Sequence, residues 1–204
     1  MIEQNFPAKS TFITTCFSTN YSYFDPMTLM KQYFLFTECN DISYNNKNNF
    51  VEFTHKILGE NGSKTECKNY YIVINDLTKS HKIYEDSDCY IIFFDLENTE
   101  SLIELNKILT FISENGNKTN KIYVINIYTN EKSIKSNLSE DNINVNFDKH
   151  GIMNYDISIV NLDSSDELVR VIDSLTEDTI EEKTIIQKSK ELNNDRSNSK
   201  CIVI

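Results

Sequence analysis

Long apolar runs, with little alternation inside them, organise the middle of this chain. "NYYIVINDL" (69–77), "DCYIIFFDL" (88–96) and "NKIYVINIY" (120–128) are rich in β-branched and aromatic residues, the pattern of strands covered on both faces. "NFVEFTHKIL" (49–58) alternates polar and apolar, which predicts an edge strand with one wet face, and "YDISIVNL" (155–162) predicts a shorter fifth strand. "TESLIELNKILTFISENG" (99–116) sets Leu102, Leu105, Ile108, Leu109 and Ile112 at helical spacing and ends in Asn115-Gly116, a stop signal. "SSDELVRVIDSLTEDTIEEKTIIQKSKEL" (164–192) opens with Ser and Asp-Glu, suited to a cap and to the helix dipole, and carries Leu168, Val171, Ile172 and Leu175 on one face. Residues 129–150 are polar with weak helical character. Strand and helix in alternation predict an α/β fold, a mainly parallel sheet with helices on both faces. From residue 190 onward apolar periodicity stops, which predicts a mobile tail. The expected organisation is one domain over 1–180, then an extended helix end and a flexible tail over 181–204.

Composition narrows the function. A net charge of -11 argues against nucleic-acid binding, which needs a basic stripe. Runs such as "NNKNN" (45–49) read as polar loop drift rather than a site. The five cysteines, Cys16, Cys39, Cys67, Cys89 and Cys201, are far apart and odd in number, with no CxxC pair. That spacing argues against a zinc site or a disulfide framework and fits a reducing cytosol. His55, His81 and His150 are isolated in polar surroundings and read as surface residues. No stretch reaches the roughly 20 apolar residues of a membrane span. "MIEQNFPAKS" lacks the apolar core of a signal peptide.

The exception to this polar character is "SNSKCIVI" (197–204). Cysteine, two aliphatics and a last residue form a prenylation signal, which makes Cys201 the lipidation residue and the membrane a partner through its prenyl group. The terminal Ile204 favours geranylgeranyl over farnesyl. One isoprenoid holds a membrane only reversibly. Lys183, Lys188, Lys190, Arg196 and Lys200 add a modest basic stretch, diluted by Glu191 and Asp195. The expected localisation is cytoplasmic and peripheral, with exchangeable membrane contact.

The order of these segments resembles the small GTPase fold of the Ras and Rho families. The resemblance spans nearly the whole chain and rests on order and spacing together with the prenylation signal. It implies a five- or six-stranded sheet. "AKSTFITTCFSTNYSYFDPMT" (8–28) is similar to the end of a phosphate-binding loop, the first helix and the first switch. "NDLTK" (75–79) stands at the Asp-x-x-Gly motif, and "SDCYIIFFDLENTESLIEL" (87–105) is similar to the fourth strand with its acidic turn and Ser-rich helix start. "KIYVINIYT" (121–129) stands at the guanine-reading motif, and "YDISIVNLDSSDELVRVIDSL" (155–175) at the last strand, loop and helix. On this alignment the first strand is truncated to Met1 and Ile2. GTP or GDP with Mg²⁺ would be the cofactors, and Lys9, Ser10, Asp76, Asn126 and Ser158 the residues left to bind nucleotide, with Ser10 and Asp76 on the metal.

Those motifs are degraded. The phosphate loop G-x-x-x-x-G-K-[ST] needs glycines so that successive amides face the phosphates. Residues 3–10 keep Lys9 and Ser10, replace both glycines, and insert Glu3 and Pro7. Lys9 and Ser10 either still hold phosphate and Mg²⁺ or open an ordinary helix. Met27 replaces the switch threonine, Lys79 the glycine whose amide meets the γ-phosphate, and Ser80 the water-orienting Gln. Asn126 remains, but Ile127 and Thr129 replace the guanine-reading Lys and Asp, and a Thr hydroxyl cannot make the paired hydrogen bonds of a carboxylate. Three functions follow as expectations. The first is a prenylated small GTPase-like signalling protein with weak or absent nucleotide binding and lost hydrolysis, working through protein effectors or regulators. The second is a divergent but competent GTPase. The third is an unrelated α/β protein-binding module. Protein made in a prenylating host should lose residues 202–204 and gain isoprenoid mass on Cys201; mass spectrometry finding unmodified Cys201 with Ile204 still present refutes the lipid reading.

Overall fold

The middle of the sheet is a strand whose sequence looks polar. A computed structural model of the chain describes residues 11–20, 22–37, 40–45, 50–58, 64–74, 77, 87–135 and 138–198. Strand β1 (Thr11–Ser18) runs parallel to β4 (Lys64–Val73) on one side and to β5 (Cys89–Asp95) on the other. Beyond β5 lie β6 (Lys121–Tyr128) and β7 (Tyr155–Asn161), both parallel. Beyond β4 lie β3 (Phe50–Leu58) and β2 (Asn40–Asn45), both antiparallel to their neighbours. The order is β2-β3-β4-β1-β5-β6-β7, a mixed, mostly parallel sheet of seven described strands where five or six were expected, because the polar-rich β2 adds an antiparallel edge.

Helices cover both faces. On one, α1 (Pro26–Phe36) and α4 (Ser165–Asn198) bury Met30, Tyr33, Leu168 and Ile172 against Cys16, Ile91 and Ile125. On the other, α2 (Ser101–Asn115) and α3 (Glu140–His150) bury Leu105, Ile108, Ile143 and Phe147 against Phe17, Ile92 and Val124. A β-strand sends alternate side chains to opposite faces, so both faces of β1, β5 and β6 are spent on core, which is why the middle runs lack alternation. Gly151 (φ +63°) ends α3 in the left-handed region, where a residue without Cβ costs least.

Several expectations need correction. The first described strand is not a stub: the eight-residue β1 begins at Thr11, directly after Ser10, and lies at the sheet centre, where a helix was expected to follow the Lys-Ser pair. "FDPMT" is no switch loop; Asp25 caps α1, Pro26 starts it, and Met27 is buried. Residues 50–58 form the second strand from the edge, because β2 lies outside them. The long final helix continues past 190 to Asn198. At about 1.5 Å per residue its 34 residues reach roughly 50 Å, about twice the span of an eight-residue strand.

Polar atoms inside β1 find partners only after folding. Thr15 and Ser87 share a hydrogen bond of 2.6 Å, and Thr14 Oγ1 lies 3.3 Å from Cys89 Sγ, which also accepts from Thr179 of α4 at 3.4 Å. Burial pushes the Cys89 thiol up to about 11, against the opposing hydrogen bonds from Thr14 and Thr179, and raises Cys16 as well, so neither is a ready nucleophile. At the strand's amino end, Asp88 Oδ2 accepts from the Ile13 amide at 2.9 Å and from Lys183 at 2.7 Å, while Lys183 also reaches the Thr11 carbonyl at 2.8 Å. Removing one member of a buried pair strands the other. Thr15→Val should therefore cost about 1–2 kcal/mol in urea unfolding, and Thr15→Val with Ser87→Ala should recover most of it.

Candidate functional site

Ligands of open α/β sheets bind outside the carboxyl ends of the parallel strands. In this chain those ends are tied together by the protein's own acids. Asp95 closes β5 and is 3% exposed. Its Oδ2 accepts from Asn20 Nδ2 at 2.7 Å and its Oδ1 from the Glu97 amide at 2.8 Å. Thr19 Oγ1 accepts from the Asp95 amide at 2.9 Å and donates to Ser101 Oγ at 3.1 Å, and Ser101 donates to the Asp95 carbonyl at 2.7 Å. The connection from β1 to α1 is thus stitched to the start of α2.

Glu97 does the same for the loop after β6. Its carboxylate accepts from Thr129 Oγ1 at 2.8 Å, from the Asn130 amide at 2.9 Å and from the Ser133 hydroxyl. Burial alone would raise its carboxyl; the hydrogen bonds from Ser133, Thr129 and Asn130 outweigh that and hold it below the ordinary carboxylate range. Thr129, aligned with the guanine-reading Asp, therefore already spends its hydroxyl within the chain.

The third acid sits at the helix itself. Asp25 Oδ2 accepts from the Thr28 amide at 3.1 Å and from Thr28 Oγ1 at 2.8 Å, and Pro26 has no amide to offer. The backbone of the preceding turn bonds inward, with the Phe24 amide on the Asn20 carbonyl at 2.8 Å and the Thr19 amide on the Phe93 carbonyl at 2.9 Å. Residues 18–25 contain no Gly, Lys or Arg. A helix N-terminus binds phosphate through free amides and its positive dipole end. A carboxylate at the cap, a proline at the first position and two further acids nearby do not suit a nucleotide polyphosphate.

Of the residues assigned from sequence, Lys9, Ser10, Asp76 and Cys201 lie outside the described residues. Asn126 and Ser158 are described, and the fold does not bring them together. Asn126 lies on β6 beside Ile159, on the face covered by α2 and α3; Ser158 lies on β7 beside Ile125, on the opposite face with Val160. Both sit within strands rather than in loops. Asn126 is buried, and its Oδ1 has no hydrogen-bond partner among the described residues. Those residues also contain no group of three His, Cys, Asp or Glu placed to hold a metal. An open groove of about 580 Å³ lies between α2 and α3, lined by Leu102, Ile103, Asn106, Asn142 and Val145.

Asp25, Asp95 and Glu97 were the residues that motif matching passed over. Asp-Pro ahead of an apolar helix was a readable cap signal, and the acidic turn after "CYIIFF" was visible. No protein-family model matches this chain, and a search of curated proteins finds no match.

Two outcomes follow. The folded carboxyl of Glu97 is more acidic than its unfolded value, so its stabilisation is present above about pH 4.3 and lost as pH falls through the folded value. Glu97→Gln should therefore unfold more easily in urea at pH 7, by about 1 kcal/mol, with the difference shrinking as acid protonates the folded carboxylate. Asn126→Leu removes an orphaned buried acceptor and should raise stability by about 1 kcal/mol or leave it unchanged; a loss above about 2 kcal/mol would show that the amide is needed.

Proposed function

We propose that this chain is a Ras/Rho-like signalling protein that works at a membrane through a lipid on Cys201 and acts by protein contacts without a nucleotide switch. The observation that carries this reading is the Asp25 carboxylate seated on the α1 N-terminus, with Pro26 in the first helical position. A switch needs that end of the helix free for phosphate, and here the chain fills it with negative charge. Lys79 and Ser80 in place of the second-switch Gly and Gln, and Ile127 and Thr129 in place of the guanine-reading pair, support the same loss of binding and hydrolysis. The central β1 and the helices on both faces support the likeness to that superfamily, in which the first strand lies at the sheet centre.

On this reading the protein's partners are effectors or regulators and a lipid surface, not nucleic acid. The lipid part rests on the Cys-Ile-Val-Ile sequence at 201–204. None of the described helices is long and apolar enough to cross a membrane. Protein purified under mild conditions should release no guanine nucleotide on denaturation, and GTP with Mg²⁺ at about 1 mM should leave its melting temperature unmoved. A ligand present at about 100 times its Kd would stabilise by about 2.7 kcal/mol, a shift of several degrees. Stoichiometric GDP or GTP would overturn the proposal in favour of a competent GTPase. A bare protein with unmodified Cys201 would instead favour an unrelated α/β protein-binding module.

A further inference from the structure

The two edges of the sheet are built differently. Edge strand β2 is blunted: its pairing with β3 shifts register between Asn40 and Ser43, and Asp41 has φ +54°. Such irregularity is how sheets discourage a further strand. Edge strand β7 pairs with β6 without a break from Tyr155 to Asn161. Among the described residues no strand pairs with its other side.

The direction of its backbone groups follows from the ladder. The Asn154 carbonyl accepts from the Ile122 amide, and the Leu162 amide donates to the Tyr128 carbonyl. In a parallel pair, alternate residues face the neighbour, so 156, 158 and 160 face β6 while 155, 157, 159 and 161 face outward. Asn161 is consistent with this, its amide being taken by Glu167 Oε2 at 2.8 Å. The amides and carbonyls of Tyr155, Ile157 and Ile159 are left along the open edge. Ile159 exposes 62% of its surface there, although it is β-branched and apolar.

We propose that β7 is a self-association edge, pairing antiparallel with β7 of a second copy to join two seven-stranded sheets into one. An isologous strand pair must be antiparallel, because a two-fold axis reverses the strand. Setting the axis at Ile157 places Tyr155 opposite Ile159 of the second copy and Ile157 opposite itself. Each of these pairs exchanges both main-chain bonds, about six in all. On the other sheet face Asp156 meets Ser158, so no like charges oppose each other. Asp156 is moreover neutralised within its own chain by Lys121 at 2.7 Å. On a molecule of net charge -11, β7 is thus a locally neutral strip with apolar side chains and unpaired backbone. Elsewhere two copies repel, so salt should strengthen the pair by screening the rest of the surface.

The test is the mass of the full unprenylated chain in solution, by light scattering and sedimentation from about 5 to 500 µM. The wild type should rise from 23.8 kDa toward twice that value, more readily in about 0.5 M than 0.05 M NaCl. Ile159→Pro deletes one outward amide and leaves the β6 ladder whole, so it should weaken the dimer at least about tenfold with the monomer still folded. Ile159→Lys serves the same purpose should the proline variant misfold. Tyr44→Lys on the β2 edge should leave the dimer intact. Hydrogen exchange should show the Ile157 and Ile159 amides protected at high protein concentration and open at low. A wild type monomeric throughout this range, or an Ile159→Lys dimer as tight as the wild type, would overturn the proposal. Because no lipid or nucleotide enters the measurement, it fails or succeeds independently of the function proposed above.

Discussion

Everything in this sheet passes through β1. It is the seam between an antiparallel part, β2-β3-β4, and a parallel part, β5-β6-β7, and it touches both directly. Such a seam must be satisfied on two edges and two faces at once, and β1 brings Thr14, Thr15 and Ser18 into the interior. Buried hydroxyls are tolerable only when bonded. Ser87, just ahead of β5, partners Thr15, and Cys89 at its start partners Thr14 and accepts in turn from Thr179 of α4, so the strand is stable only where β5 and α4 are already in place around it. The Lys183–Asp88 pair, on the Thr11 carbonyl and the Ile13 amide, fixes the same strand from its amino end.

The carboxyl end obeys the same rule with a different outcome. Loops that follow parallel strands leave unpaired amides and carbonyls, and in ligand-binding folds the ligand satisfies some of them. Here Asp95 and Glu97 take up that role inside the chain by bridging loop to loop, and Asp25 by capping its own helix. A site closed this way gains rigidity, and its negative charge turns away the anions that a bare helix terminus would attract. The amides of Thr28, Glu97 and Asn130 each find their acceptor in one of these acids.

The described residues offer several surfaces for outside contact. The acidic body discourages anionic partners, the α2–α3 groove exposes aliphatic and amide groups, and β7 offers backbone. A scaffold with bridged strand ends and a regular open edge is suited to binding other chains, which is the common ground of the functional reading and the self-pairing of β7.

Strands β4 to β7 and helices α2 and α4 were legible because their apolar residues are dense or correctly spaced, and burial on one or both faces leaves that trace whatever the partners are. Tertiary structure alone decided the place of β1. Thr11, Thr14, Thr15 and Ser18 look like loop polarity until hydroxyl partners many residues away are brought beside them, and a search for a Lys-Ser motif pulled the first strand to the wrong side of Ser10. Strand β2 was invisible because six polar-rich residues earn an edge position only from a neighbour already present. Asn126 and Ser158 each read as site residues, yet opposite pleats of adjacent strands keep them apart, and a linear sequence carries no record of that register. Composition and periodicity report how much surface a segment buries; which polar atoms meet is set by pairings between distant segments, and those exist only in the folded chain.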